Sequence, residues 1–112
     1  MIKTITIAHR RPDMTHEEFA KHWFEVHGPL AAKLIPHVKR YVQNHLIYVP
    51  GMEFQGDGVV EMWYDSVEAW QESQKVIRQT PALMEDGPKF CVMKPGGAWV
   101  VEERVILDKT KK

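Results

Sequence analysis

Residues 1–30, MIKTITIAHRRPDMTHEEFAKHWFEVHGPL, contain a strand pattern, a break and a helix pattern in close succession. From residue 2 to residue 10 the side chains alternate between two sets, which is the two-residue period of a strand. Pro12 ends that pattern. Thr15 and Glu18 then have the spacing of a capping box, in which each side chain bonds the other residue's backbone N–H. We therefore predict a β-strand that leads directly into an α-helix.

The apolar residues of this helix follow the helical repeat and form one stripe along it. The stripe consists of Phe19, Trp23, Val26 and Leu30. Gly28 and Pro29 interrupt the run, and proline suits the first turn of a new helix because its missing N–H is not needed there. The sequence therefore predicts a helix that stops at Gly28 and Pro29, followed by a short second helix to Leu34.

Strand and helix patterns continue along the rest of the chain. Strands rich in β-branched and aromatic residues are predicted over residues 38–49, 59–64 and 98–107, with turns at 50–58 and 96–97. Ser66 is the predicted N-cap of a helix through residue 77, and a short helical turn at 80–84 ends at Gly87 and Pro88. The order is β-α-β-β-α-β. We therefore predict an α+β fold of the ferredoxin-like type, with an antiparallel sheet.

Both faces of the predicted sheet carry apolar side chains. In the last strand Trp99 and Val101 fall on one face and Val100 on the other. The helices can cover only one face, and a large exposed apolar face is unusual in a soluble monomer. A second copy of the same sheet is the simplest cover. We therefore expect a homodimer in which two sheets pack together as a dimeric α/β barrel.

The composition is that of one globular domain. The chain has 112 residues with 15 basic and 15 acidic side chains, so no net field attracts nucleic acid or an anionic membrane. No apolar run approaches the roughly 20 residues of a membrane span, and the charged first strand is not a signal peptide. Cys91 is the single cysteine, which favours a reducing, cytoplasmic location. We assign residues 1–108 to one domain and 109–112 to a short basic tail.

The chain has six histidines, three of them on the first predicted helix. His16, His22 and His27 are six and five residues apart, so neighbouring pairs do not share a helix face as the ligands of a zinc-binding H-E-x-x-H motif do. The sequence also lacks a nucleophile elbow, a phosphate-binding loop and a dinucleotide fingerprint. We therefore expect neither a metal site nor a bound cofactor.

His27 is the principal catalytic candidate. It lies at the predicted end of the first helix, beside Trp23 and Val26, where a neutral imidazole can act as a general acid or base near pH 7. The alternative is a histidine that caps a carbonyl at the helix end. Seven further side chains are candidates for contact with a small apolar substrate, and the alternative for each is an ordinary place in the core or on the sheet. They are His22, Trp23, Tyr41, Asn44, His45, Trp63 and Phe90.

Several segments together resemble the EthD family. They are FAKHWFEVHGPLAA at 19–32, RYVQNH at 40–45, YDSVEA at 64–69 and VEE at 101–103, and the most specific is the H-W-x-x-x-H-G-P element within the first. The resemblance implies a dimeric α+β barrel, a ligand between the helices and the sheet of one subunit, and an acid–base role for His27. The segment DGPKFCV at 86–92 departs from the acidic and aromatic stretch often found there in the family, and leaves Asp86 as a candidate.

The superfamily implied by this resemblance includes cofactor-free monooxygenases, polyketide cyclases and dehydratases, muconolactone isomerases and haem-degrading enzymes. The first hypothesis is a cofactor-free lyase, isomerase or cyclase. In it His27 removes a proton beside the carbonyl of a small apolar compound, such as a lactone or a polyketide-like aromatic, and a hydrogen-bond donor holds the oxyanion. A cofactor-free monooxygenase would need the same pocket. The second hypothesis is a binding or accessory protein without turnover, and the third is haem binding through one histidine.

Overall fold

The computed structural model describes residues 1–53, 56–92 and 98–110. The strands are β1 (Ile2–Arg10), β2 (Arg40–His45), β3 (Gly58–Tyr64), β4 (Cys91–Val92) and β5 (Ala98–Val101). The helices are α1 (His16–His22), α2 (Gly28–Leu34), α3 (Val67–Arg78) and α4 (Pro81–Asp86). A π-helical turn, Trp23–His27, joins α1 to α2, and a 3₁₀ turn, Gly87–Lys89, follows α4.

Strand β1 lies inside an antiparallel sheet. It pairs with β3 from Ile2 opposite Tyr64 to Ala8 opposite Gly58, and β3 pairs with β2 on its other side. The opposite edge of β1 pairs with β5 and, at its end, with the short β4. The strand order β2-β3-β1, followed by β4 and β5 on the far side of β1, confirms the predicted α+β fold with a ferredoxin-like antiparallel sheet.

The second and the last strands are shorter than predicted, and the sequence pattern does not predict β4. Strand β2 ends at His45, which pairs with Gly58, the first residue of β3. Strand β5 ends at Val101, which pairs with Lys3 near the start of β1. Pairing of β2 stops at the first residue of β3, and pairing of β5 stops one residue short of the start of β1. Composition does not reveal such ends, because they depend on the partner strand. The turn predicted at 96–97 lies outside the described residues.

The second helix ends at Leu34 as predicted, but the predicted interruption at Gly28 and Pro29 is wrong. The first helix instead runs through the π turn directly into α2. The N–H of Gly28 donates to the carbonyl of Trp23, five residues earlier, which is the hydrogen bond of a π turn. In an ordinary α-helix the ring of Pro29 would collide with the carbonyl four residues before it. The wider turn accommodates the proline without ending the helix.

The π turn also moves the buried stripe by one residue. Phe19 and Trp23 are buried as predicted, but Val26 is 48% exposed. After Trp23 the inward positions are His27, which is half-buried, and Ala31, which is fully buried. The extra residue of the turn therefore places a histidine where the regular repeat predicts a valine.

The predicted caps are present. The Thr15 hydroxyl accepts from the Glu18 N–H at 3.1 Å, and the Glu18 carboxylate accepts from the Thr15 N–H at 2.9 Å, which completes the capping box. The Ser66 hydroxyl accepts from the N–H of Ala69 at 3.1 Å and starts α3. Helix α4 runs further than predicted, because Gly87 and Pro88 continue it as a 3₁₀ turn.

Two buried clusters lie between the helices and one face of the sheet. The first consists of Phe19, Trp23 and Phe90, and the second of Ala31, Ile35 and Leu83. Ala8 of β1 packs on the first cluster, and Tyr41 of β2 packs on the second. Because side chains alternate along a strand, positions 41, 43 and 45 of β2 all face the helices.

The other face of the sheet carries a mixed surface. Ile5 of β1 pairs with Trp99 of β5, whose side chain is 48% exposed. Lys3 lies 5.1 Å from the ring centroid of Trp63 and 2.7 Å from the Glu61 carboxylate. Among residues 1–53, 56–92 and 98–110, none of the helices has the length and apolar character needed to cross a membrane.

Candidate functional site

Two histidines of the first helix meet one carboxylate from α4. The Nδ1 atom of His27 lies 2.8 Å from Oδ2 of Asp86. The Nε2 atom of His22 lies 3.0 Å from Oδ1 and 3.2 Å from Oδ2 of the same residue. His22 ends α1, His27 ends the π turn and Asp86 ends α4, so three element ends converge on this cluster.

The cluster is closed on one side by an aromatic ring. The Phe90 ring centroid lies 4.9 Å from the centroid of each imidazole, stacked on His22 and tilted against His27. Phe90 is 2% exposed and Asp86 is 5% exposed, whereas both histidines are half-buried. The carboxylate is therefore removed from water, while each imidazole keeps an edge near the surface.

Asp86 is held in its charged form. Burial would raise the pKa of Asp86, but the hydrogen bonds from His27 and His22 outweigh it, and the pKa of Asp86 lies below its usual range. A carboxylate can only accept hydrogen bonds, so each histidine nitrogen that faces it must carry a hydrogen. His27 therefore donates from Nδ1, and its second nitrogen, Nε2, is the one able to exchange a proton with a ligand. This is the relation between histidine and aspartate in catalytic triads.

A second group of polar side chains lies on the helix-facing side of β2, beside a cleft of about 540 Å³. The cleft is lined by Phe24, Glu25, Gly28, Pro29, Ala32, Tyr41, Gln43 and His45. Gln43 joins the polar residues: its Nε2 donates to the Tyr41 hydroxyl at 3.1 Å, and its Oε1 lies 2.8 Å from Nε2 of His45. The same Nε2 donates to the Trp23 carbonyl at 2.8 Å, so the amide also ties β2 to the π turn.

Burial favours the uncharged form of both titratable groups of this strand face. Burial, together with the nearby charge of His16, lowers the pKa of His45. Burial also raises the pKa of Tyr41, although hydrogen bonds from Gln43 and Trp23 oppose the change. The His45 ring is tilted against Trp23 with ring centroids 4.6 Å apart. A neutral imidazole and a protonated phenol are therefore fixed along one strand.

The structure places the predicted site residues in four different surroundings. His22, His27 and Phe90 share the Asp86 cluster, and Tyr41 and His45 line the cleft. Trp23 lies between the two groups, with its ring in the core and its carbonyl bonded to Gln43. The remaining two, Asn44 and Trp63, lie on the other face of the sheet. There the Asn44 amide donates to the Glu61 carboxylate at 2.9 Å, and the Arg40 guanidinium carbon lies 4.6 Å from the centroid of the Trp63 ring.

Local sequence patterns do not link Asp86 to the histidines, and they do not indicate Gln43 as a site residue. Asp86 is 59 residues from His27 along the chain, and no local pattern joins them. A signal for Gln43 exists, because the alternation that makes β2 a strand places residue 43 on the same face as Tyr41 and His45. The part of the chain that the structure describes contains no group of three or more side chains arranged to hold a metal ion.

The state of Asp86 predicts how stability depends on pH. Its pKa is lowered on folding, so its contribution is present above the unfolded value of about 4 and is lost as the pH falls below it. We expect Asp86→Asn to reduce the free energy of unfolding at pH 6–7 by about 1–3 kcal/mol, since it weakens charge-assisted hydrogen bonds. The difference from wild type should shrink below about pH 4. Urea unfolding at several pH values measures it.

Asp65→Asn is the matched control for this prediction, since the Asp65 carboxylate is exposed and lies 3.5 Å from Lys39. Its effect should be near zero at every pH, as for most exposed ion pairs. A constant difference between wild type and Asp86→Asn from neutral to acidic pH would contradict the assignment of a charged, hydrogen-bonded Asp86.

Comparisons with known proteins show the family through a family model and the fold through solved structures. Residues 11–93 match the family model of the EthD domain. The chain is similar to the crystal structure of an ethyl tert-butyl ether D (EthD) family protein from Bacillus halodurans C-125, with 24% identity, a TM-score of 0.64 and coverage of 93% of this chain and 99% of that one. It is also similar to the solution structure of a hypothetical Arabidopsis thaliana protein, with 16% identity, a TM-score of 0.60 and coverage of 95% and 91%.

No curated protein matches the sequence. At these identities the two solved structures show the fold alone, whereas the family model covers well over half of the 112 residues. The match includes both histidines and the aspartate of the cluster. The chain therefore belongs to the EthD domain family.

Proposed function

We propose that the protein is a cofactor-independent enzyme that moves a proton on a small, largely apolar carbonyl compound, as a lyase, isomerase or cyclase. The observation that carries the proposal is the 2.8 Å contact between Nδ1 of His27 and the buried carboxylate of Asp86. Such a pair fixes the imidazole and stabilises the positive charge that forms when Nε2 accepts a proton. A lactone or a polyketide-like aromatic has suitably acidic C–H groups beside its carbonyl.

The proposed reaction needs only the groups of this chain. Nε2 of His27 takes the proton from the carbon beside the carbonyl, and the C–H electron pair moves into the carbonyl to give an enolate. The protonated imidazole then returns the proton, either to another carbon, as in an isomerase, or to a leaving hydroxyl, as in a lyase. His22 holds the other side of Asp86 and so limits rotation of the carboxylate.

The proposed substrate contacts follow the placement of the predicted residues. Phe90 and His22 border His27 and would contact the reacting end of the substrate. Tyr41 and His45 offer hydrogen bonds in the cleft, and Gly28, the residue next to His27, is part of the cleft lining. Trp23 supports this wall from the core. Asn44 and Trp63, on the opposite face, have no part in these contacts.

A second candidate function is ligand binding without turnover. The observation that favours it is that His27 is not among the residues that line the cleft. In a carrier the His22–Asp86–His27 cluster would serve to join α4 to the first helix, and the cleft would hold an apolar compound unchanged. The two functions differ in whether the bound compound exchanges a proton.

Proton exchange in D₂O distinguishes the two functions. We expect wild-type protein to accelerate exchange of the protons beside the carbonyl of α-angelica lactone, or its conversion to the β isomer, above the rate in buffer with an equal concentration of serum albumin. Proton NMR follows both processes. If small lactones and aromatic ketones bind to the protein but none shows accelerated exchange, this result would contradict the enzyme and support the carrier.

We also propose that a second copy of the chain covers the sheet face opposite the helices. Trp99 is 48% exposed on β5 opposite Ile5, and a charge placed there would be buried in a sheet-to-sheet contact. We expect wild type to be a dimer by light scattering and Trp99→Glu to be a monomer. Val67→Glu, at an exposed position on α3, should remain a dimer. A monomeric wild type would contradict the proposal.

A further inference from the structure

The side-chain amide of Gln43 uses all of its hydrogen-bonding groups along the cleft. Its Nε2 donates to the Trp23 carbonyl at 2.8 Å and to the Tyr41 hydroxyl oxygen at 3.1 Å. Its Oε1 lies 2.8 Å from Nε2 of His45. One amide therefore contacts the π turn and both polar neighbours on its strand face.

The direction of these bonds follows from chemistry. A backbone carbonyl can only accept, so the nitrogen of the amide must face Trp23 and the oxygen must face His45. An amide oxygen can also only accept, so the Nε2 of neutral His45 must carry the hydrogen. The Nδ1 atom of His45 is then an acceptor. The Tyr41 oxygen accepts from Gln43, which leaves its own hydrogen free to donate to another group.

Gly28 leaves the room that this arrangement needs. A Cβ atom at position 28 would lie 2.9 Å from Nε2 of Gln43 and 3.1 Å from the Trp23 carbonyl oxygen. A side chain there would push the amide away from the π turn. The glycine of the H-G-P element therefore protects the bond between Gln43 and Trp23, from which the direction of the other two bonds follows.

We propose that Gln43 is a positioning residue that gives the cleft a fixed polarity, with a donor at the Tyr41 hydroxyl and an acceptor at Nδ1 of His45. The matching ligand class is a flat, mainly apolar compound with a carbonyl to accept from Tyr41 and a hydroxyl to donate to His45, such as a hydroxylated aromatic ketone. This inference rests on the proposed function only in taking the cleft as the ligand site. It does not depend on turnover at His27.

The neighbours of His45 are compatible with this role. His16, at the start of α1, acts on the charge of His45 and is itself paired with Asp57 at 3.1 Å. Glu25 and Tyr41 line the same cleft as His45. A neutral His45 avoids repulsion from His16. A carboxylate in place of the Gln43 amide would instead attract a second proton to His45. The same carboxylate would accept the Tyr41 hydrogen and remove the donor from the cleft.

The first test uses ¹⁵N NMR of the His45 ring together with binding of 4-hydroxyacetophenone, acetophenone and phenol. In wild type we expect a neutral ring with the hydrogen on Nε2. The hydroxyketone should bind roughly fivefold more tightly than either compound that lacks one group, because each lost hydrogen bond costs about 1 kcal/mol. In Gln43→Glu the pKa of the His45 ring should rise, and the preference for the ketone should disappear.

Gln71→Glu, at an exposed position of α3, is the matched control and should change neither the ring nor the preference. If Gln43→Glu does not fold, the wild-type ring and the wild-type order of affinities still decide the matter. A hydrogen on Nδ1 of His45, or equal affinity for the three compounds, would overturn the proposal. Selective binding without proton exchange would support the fixed polarity of the cleft and contradict the enzyme. Proton exchange without selective binding would support the enzyme and contradict the fixed polarity.

Discussion

Replacing His27 with glutamine is expected to slow proton exchange on a substrate by about 10²–10⁴-fold, the usual contribution of a general acid–base group. Glutamine can keep a hydrogen bond to Asp86, but it has no basic nitrogen in place of Nε2. Asp86→Asn should lower the rate as well, because the asparagine does not stabilise a protonated imidazole as a carboxylate does. The initial rates of proton exchange, followed by NMR, measure both effects.

The chain provides a matched control in a second histidine–aspartate pair. Nδ1 of His16 lies 3.1 Å from Oδ1 of Asp57 at the start of α1. As in the pair of His27 and Asp86, the Nδ1 atom of the imidazole faces a carboxylate oxygen, but this carboxylate also binds Arg10. His16→Gln should leave the exchange rate within about twofold of wild type, since its ring has no proposed contact with substrate. Equal losses in His16→Gln and His27→Gln would show that catalysis does not depend on His27.

Replacing Gly58 with alanine is expected to reduce the free energy of unfolding by about 1–3 kcal/mol, the usual cost of overpacking. The new Cβ atom would lie 2.5 Å from Cζ3 and 2.8 Å from Cη2 of Trp23. It would also lie 2.7 Å from the carbonyl oxygen of Asn44. Trp23 is 3% exposed and cannot move away without disturbing the π turn. Urea unfolding followed by fluorescence measures the change.

A double-mutant cycle tests the cause of that loss. Trp23→Phe removes the outer ring atoms that collide with the new methyl group, so Gly58→Ala should cost less in that background. The rescue should be partial, because the contact with the Asn44 carbonyl remains. Gly87→Ala is the control. Apart from its chain neighbours and its own helix backbone, no atom of the described residues lies within 4 Å of the added Cβ, so its effect should stay below about 1 kcal/mol. Strict additivity in the cycle would contradict a direct contact between residues 23 and 58.

The features that the sequence predicts correctly depend on residues close together along the chain. The alternation of β1, the capping box of Thr15 and Glu18 and the Ser66 cap each involve a few neighbouring positions. The order of elements then leaves few sheet topologies, and the ferredoxin-like one is observed. Strand ends are predicted poorly because they depend on where the partner strand stops, as at His45, which pairs with the first residue of β3.

The π turn explains why the helix stripe is predicted only in part. A regular repeat places Val26 inward, but the bond from Gly28 to Trp23 adds one residue to the turn and brings His27 inward. The turn is supported from outside the helix, by the amide of Gln43 on β2. Helical periodicity depends only on nearby residues, so it does not reveal a hydrogen bond between Trp23 and a strand residue 20 positions away. The prediction of His27 as the catalytic position therefore rests on its place at the helix end and on the family resemblance.

The candidate site is also predicted only in part, because its partners are far apart along the chain. His22 and His27 are visible on one helix, but their shared partner Asp86 lies 64 and 59 residues further along the chain. By contrast, the separation of Asn44 and Trp63 from the cleft follows from strand alternation and register. Asn44 falls between Gln43 and His45, and Trp63 pairs with Arg40, so both face away from the helices.

Determining which nitrogen of the His27 ring carries the hydrogen tests the proposed chemistry most directly, and the measurement needs no substrate. ¹⁵N NMR of histidine-labelled protein near pH 8, above the ordinary titration range of imidazole, reports which nitrogen carries the hydrogen. If Asp86 orients His27 for acid–base chemistry, Nδ1 carries the hydrogen in wild type, Nε2 is bare, and Asp86→Asn weakens this preference. A His27 ring with its hydrogen on Nε2 in wild type would leave no basic nitrogen for the substrate and would contradict the proposed role.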